Sequence, residues 1–107
     1  MYLIVTRSFP PDLGGMQSLV WGLSKEMSKN FMIKVFADYH KNHKEFDKEV
    51  NFSIERVGGF KFLRKIRKAQ LINDFLKDSK IQGIIADHWK SLELIQTKKK
   101  KILLNSW

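Results

Sequence analysis

The chain contains no cysteine, which excludes a disulfide framework, a thiolate metal site and a cysteine nucleophile. That absence fits a reducing cytoplasm. Proline and glycine are sparse, two and six in 107 residues, too few for a collagen-like or low-complexity chain. Long apolar runs are missing too: the longest is strand-length and ends at Val5, far short of the roughly 20 residues of a membrane-spanning helix. The same shortness excludes a signal-peptide core. Acidic residues are outnumbered, 11 against 20 basic ones, for a formal charge of +9 and a pI near 9.9.

What is present describes a folded domain. A hydrophobic fraction of 43% and an aromatic fraction of 12% can build a packed interior, and 107 residues hold one core rather than two. The positive balance points to polyanions such as nucleic acid, anionic lipid or phosphorylated ligands. Charge alone does not choose among them.

Residues 2–5 are apolar at every position and rich in β-formers, which suits a central strand covered on both faces. Residues 6–13 carry Pro10 and Pro11, and Gly14-Gly15 follow, so a shaped loop leaves the strand. From Met16 the apolar positions Leu19, Val20, Leu23 and Met27 recur at helical spacing and end near Asn30. A second strand is expected over 32–37, an exposed polar loop over 38–50, and a third strand over 52–57, stopped by Gly58-Gly59.

Residues 60–79 form an amphipathic helix whose stripe runs through Phe62, Ile66, Ala69, Ile72 and Leu76. A short buried strand over 83–86, a short helix over 89–96, the lysine run 98–101 as a charged connection, and a last strand over 102–104 complete the chain. This alternation predicts an α/β, Rossmann-like three-layer sandwich with a mainly parallel sheet. Because the last strand should lead into a covering helix, the chain is expected to be the opening portion of something longer.

Gly14-Gly15 at a helix amino terminus can admit a phosphate, through outward N–H groups, the helix dipole and missing side chains. A plain tight turn reads the same way, and neither G-x-G-x-x-G nor the Walker spacing is present. His88 follows a strand end and is a candidate ligand contact, or else a structural histidine. No metal-ligand spacing joins His40, His43 and His88. Lys61, Arg64, Lys65, Arg67 and Lys68 crowd one helix start, which is either a face for anionic lipid or a solvated cover. No nucleophile-base pair stands out, so binding groups exceed catalytic ones.

The residues Val5-Thr6-Arg7-Ser8-Phe9-Pro10-Pro11, Gly14-Gly15-Met16-Gln17 and Leu23-Ser24-Lys25-Glu26-Met27 together resemble the amino-terminal opening of glycosyltransferase family 4, the retaining GT-B sugar transferases. The likeness runs on through Val35-Phe36-Ala37 to Ile84-Ile85-Ala86-Asp87-His88, similar to a family strand ending in H-x-H. It is specific in the first third only.

The resemblance implies an incomplete, acceptor-side GT-B domain. Gly14 and Gly15 would approach the diphosphate of a nucleotide-sugar, which is a substrate; no cofactor or metal is implied. Arg7 and His88 would contact acceptor or phosphate. Two departures stand out: Ala86 replaces the first histidine of H-x-H, and Asn105-Ser106 stand where the family commonly has His-Gly. His88 and Asn105 are thus the catalytic candidates.

The donor-binding domain, with its Glu-x7-Glu signature, is absent from these residues, so the chain alone is expected to be inactive. Its partners would be that domain, an anionic membrane surface facing Arg64, Lys65, Arg67 and Lys68, and a second copy through the sheet edge at 102–104. Its place would be cytoplasmic, at the inner membrane face. The rival is a non-enzymatic basic α/β module binding nucleic acid or a protein; it lacks an RNA-stacking pattern or a recognition-helix motif.

Overall fold

Strand β1 (Tyr2–Val5) occupies the middle of the molecule. Leu3, Ile4 and Val5 are buried, as an all-apolar strand covered on both faces requires. The computed structural model describes residues 1–104. Around β1 are α1 (Gly15–Ser28), β2 (Ile33–Asp38), α2 (His43–Glu49), β3 (Ser53–Val57), α3 (Lys61–Phe75), β4 (Gly83–Ala86), a 3₁₀ turn (Trp89–Leu92) and β5 (Lys100–Leu103).

The five strands form one all-parallel sheet in the order β3-β2-β1-β4-β5, a doubly wound, Rossmann-like arrangement. The chain moves outward from β1 to β3, then returns through α3 to begin β4 on the other side of β1. This reversal puts helices on both faces. Val20 of α1, with Met16, Trp21, Leu23 and Met27, covers Ile4, Val35 and Ile85. Ala69, Ile72 and Leu76 of the α3 region cover Leu3, Val5, Phe36 and Ile84. Fully buried side chains such as Phe36 and Ile72 each contribute about 1.5–3 kcal/mol through removal from water.

The β4 boundaries match the sequence expectation, whereas four other expectations need correction. The polar stretch 38–50 is not a loop throughout but contains α2. Phe46 of α2 packs edge-on against Trp21 at 5.0 Å and Phe9 at 6.0 Å, and these tertiary contacts stabilise a segment whose local pattern is weak. Residues 89–96 form only the one 3₁₀ turn. The lysine run is partly strand: Lys100 and Lys101 pair with Gly83 and Ile84 while their side chains stay exposed, as an outer strand allows.

Finally, Phe62 is 72% exposed. The α3 stripe first meets the sheet about two turns in, at Ala69, and Phe60, Phe62 and Leu63 are left in solvent. Among the described residues, no helix is long and apolar enough to cross a membrane.

Candidate functional site

In a doubly wound sheet the natural ligand crevice lies outside the carboxyl ends of the strands, where the winding direction reverses. Here that point is between β1 and β4. Val5 pairs with Ala86, so the next residues, Thr6-Arg7 and Asp87-His88, emerge side by side.

Asp87 joins the two strand ends. It is 3% exposed, and its Oδ2 accepts from the Arg7 backbone N–H at 3.1 Å and lies 3.2 Å from Thr6 Oγ1. Its Oδ1 accepts from Ser91 Oγ at 2.6 Å, and Arg7 Nε stands 3.6 Å from Oδ2. A buried carboxylate is tolerated only with such compensation. Asp87 therefore fixes Arg7 and the 3₁₀ turn to one another.

His88 lies next to this centre. Its Nδ1 accepts from the Lys90 N–H at 3.2 Å and caps the turn, so in the neutral ring the proton is assigned to Nε2. His88 is half-buried, with Trp89 inclined against it. Arg7 thus touches the Asp87 carboxylate directly, while His88 stands next to it in the chain and caps the turn. Asn105 lies outside the described residues.

Gly14 and Gly15 open α1 on the opposite face of the sheet and are exposed. No side chain caps this helix end, which leaves its first N–H groups without intrahelical partners. Gly14 has extended backbone, φ 161°, which any residue adopts. A β-carbon at Gly15 would meet nothing within 4 Å, and one at Gly14 would meet only the flexible end of Gln17. Neither backbone geometry nor packing within the chain calls for glycine at these two positions. Gly59 differs, with φ +108°, the left-handed conformation that favours glycine.

On the α3 face the crevice deepens into a cavity of about 160 Å³. Arg7 lines it from β1, Asp38 from β2, Lys61, Arg64, Lys65 and Lys68 from α3, and Lys90 and Ser91 from the turn; Ala69, Ile72 and Leu94 form its apolar lining. Lys61, Lys65 and Lys68 lie at helical spacing on one side of α3, which explains why they converge.

Lys68 was expected on a membrane-facing side, but it is 6% exposed. Its Nζ donates to Asp38 Oδ1 at 2.6 Å and to the Thr6 carbonyl at 3.2 Å, because its place on the helix turns it toward the sheet edge. Arg64 also reaches Asp38, with Nε 3.2 Å from Oδ2, and Lys65 pairs with Glu93. Of the four residues expected to face a membrane, Arg67 is exposed and donates to the Gly58 carbonyl.

The cavity escaped sequence reasoning because Asp38, Lys68 and Lys90 come from three separated segments. The helical spacing of the α3 cations was the available signal. Among the described residues no group of three or more His, Asp or Glu is arranged to hold a metal ion. Comparison of the chain with protein-family models, with curated proteins and with solved structures finds no match.

Proposed function

We propose that this chain is the acceptor-side, amino-terminal domain of a retaining GT-B glycosyltransferase resembling family 4. The intact assembly moves a sugar from a nucleotide donor to a saccharide or lipid-linked acceptor, of the kind used in cell-envelope polysaccharides. The observation that carries the reading is the glycine pair. Gly14 and Gly15 open an uncapped helix at the carboxyl edge of the sheet, where neither backbone geometry nor packing calls for glycine. An arriving diphosphate supplies the missing reason, since it needs close backbone approach and free N–H groups. Arg7 and His88, at the adjoining switch point, serve the acceptor side.

Residues 1–107 encode no donor-binding domain of this type, so transfer requires one, as further chain or as a separate polypeptide. The test combines the chain with a carboxyl-terminal GT-B half and a nucleotide-sugar. Sugar transfer is expected only in the combination, and Gly15→Ala should reduce it at least tenfold while leaving the unfolding midpoint unchanged. Turnover or tight donor binding by residues 1–107 alone would overturn the proposal.

The membrane part of the reading is supported by a different set of side chains from the one expected. Phe60, Phe62 and Leu63 are 83%, 72% and 53% exposed beside Lys61 and Arg67, a pattern suited to a headgroup interface. Binding to anionic vesicles should weaken with salt and with Phe60→Ser plus Phe62→Ser; salt-independent binding would count against it. The same docking would keep the protein on the cytoplasmic membrane face. The outer strand β5 is a surface on which a second copy would pair.

A further inference from the structure

The cavity between α3 and the 3₁₀ turn holds more positive charge than the fold consumes. Six cationic side chains line it. The carboxylates in contact with them are three: Asp87 beside Arg7, Asp38 between Arg64 and Lys68, and Glu93 on Lys65. Six against three leaves a surplus of three positive charges, and among the described residues neither Lys61 nor Lys90 has a carboxylate partner.

The surplus stands where the fold itself disfavours it. Lys61 is the first residue of α3, a 15-residue helix with no acidic residue in its first turn and no side-chain cap. Cations at a helix amino terminus oppose the macrodipole, which there favours negative charge. Lys61 therefore stands against the helix dipole beside Arg64 and Lys65, an arrangement that an anion in the cavity relieves.

The size of the cavity narrows the ligand. Small-molecule sites for whole ligands run to roughly 300–1,000 Å³, so about 160 Å³ suits a head rather than a nucleotide-sugar. Asp38 holds Arg64 and Lys68 in place from behind, and the backbone that carries Lys90 belongs to a turn anchored by the Ser91–Asp87 hydrogen bond, so part of the donor set is preorganised. Terminal phosphate, with oxygens on several sides, matches donors arriving from β1, α3 and the turn.

We propose that this cavity binds a terminal phosphate or diphosphate group, contacted by Lys61, Lys90 and Arg64, and that the acceptor carries this group. The proposal deepens the acceptor-side reading and rests on it only for the word acceptor, because phosphate binding needs no donor domain. The group belongs either to a lipid headgroup or to a soluble phosphate ester.

Calorimetric titration of the full chain with inorganic pyrophosphate should give one saturable site. Lys61→Gln with Lys90→Gln should weaken it about 10–100-fold, the effect of losing two charge-assisted hydrogen bonds. The charge-matched control Lys41→Gln with Lys44→Gln, on the loop and first turn at α2, should leave it within about twofold, close to experimental scatter. Both variants should unfold like the parent, since neither Lys61 nor Lys90 holds a carboxylate.

The source is then read by competition. Displacement of pyrophosphate by vesicles containing phosphatidic acid, but not by vesicles containing the diester phosphatidylglycerol, identifies a lipid phosphate. Displacement by glycerol phosphate alone identifies a soluble ester. Absence of saturable pyrophosphate binding at millimolar concentration, or equal weakening in the two double variants, would overturn the proposal. Loss of assisted sugar transfer with pyrophosphate binding intact would instead strike the glycosyltransferase reading alone.

Discussion

Arg56 and Lys68 are both buried cations that reach the same residue, Asp38, from opposite sides, yet their surroundings differ. The Arg56 side chain is 4% exposed and pairs with Asp47 through two nitrogens, at 2.8 and 3.2 Å. Two further N–H groups donate to the carbonyls of Pro10 and Asp38. Arg56 meets one carboxylate and two carbonyls, and His43 Nδ1 stands 3.0 Å from the same Asp47 Oδ2, so the cluster is closed. Lys68 shares Asp38 with Arg64 and borders a cavity in which cations outnumber carboxylates. A satisfied buried charge joins α2, β3 and the proline loop; an unsatisfied cluster beside it remains available to a ligand.

The contrast breaks most sharply at Arg56. Arg56→Met should lower stability by about 3 kcal/mol, because it leaves the Pro10 carbonyl without its donor and Asp47 with only His43, whose Nδ1 lies 3.0 Å from Oδ2. Urea unfolding reads this as a shifted midpoint with unchanged slope, and a loss below about 1 kcal/mol would show the cluster to be ornamental.

An intermediate effect is expected at the shared carboxylate. Asp38→Asn leaves buried Lys68 without its counter-ion and should cost about 2 kcal/mol. Lys68→Met keeps Asp38 on Arg64 and should cost about 1 kcal/mol or less. The order of the two unfolding midpoints is the measurement, and a reversed order would mean that Lys68, not Asp38, organises this wall.

The smallest effect belongs to the surplus charges. Lys61→Gln and Lys90→Gln should each change stability by no more than about 0.5 kcal/mol. A loss above about 1 kcal/mol on either substitution would break the comparison, since it would show that the fold itself uses these charges.

Much of the fold was legible because its signals are local. Residues 2–5 and 83–86 are apolar throughout, and their strands appear at those positions. The Phe60-to-Leu76 periodicity located α3, although its first apolar members reach solvent. Segment α2 was not legible, since its order depends on Phe46 meeting Phe9 and Trp21 and on Asp47 meeting Arg56, partners distant in sequence. The crevice at the strand ends followed from topology, whereas the pairing of Arg7 with Asp87 across it did not. The charged cavity did not follow either, because the local pattern alone puts Lys68 on the charged face of its helix and Asp38 at the start of a polar stretch.

The position of Asp87 has a kinetic consequence. Its carboxylate receives the Arg7 N–H from one strand and the Ser91 hydroxyl from the turn, so the two walls beside it are held at fixed separation before anything arrives. A ligand entering there meets the Arg7 and Ser91 walls already in place, and the ordering it must still impose falls on the Lys61 and Lys90 side chains. Association should then run at the pace of electrostatically assisted encounter, and differences among ligands should be expressed in how long each one stays.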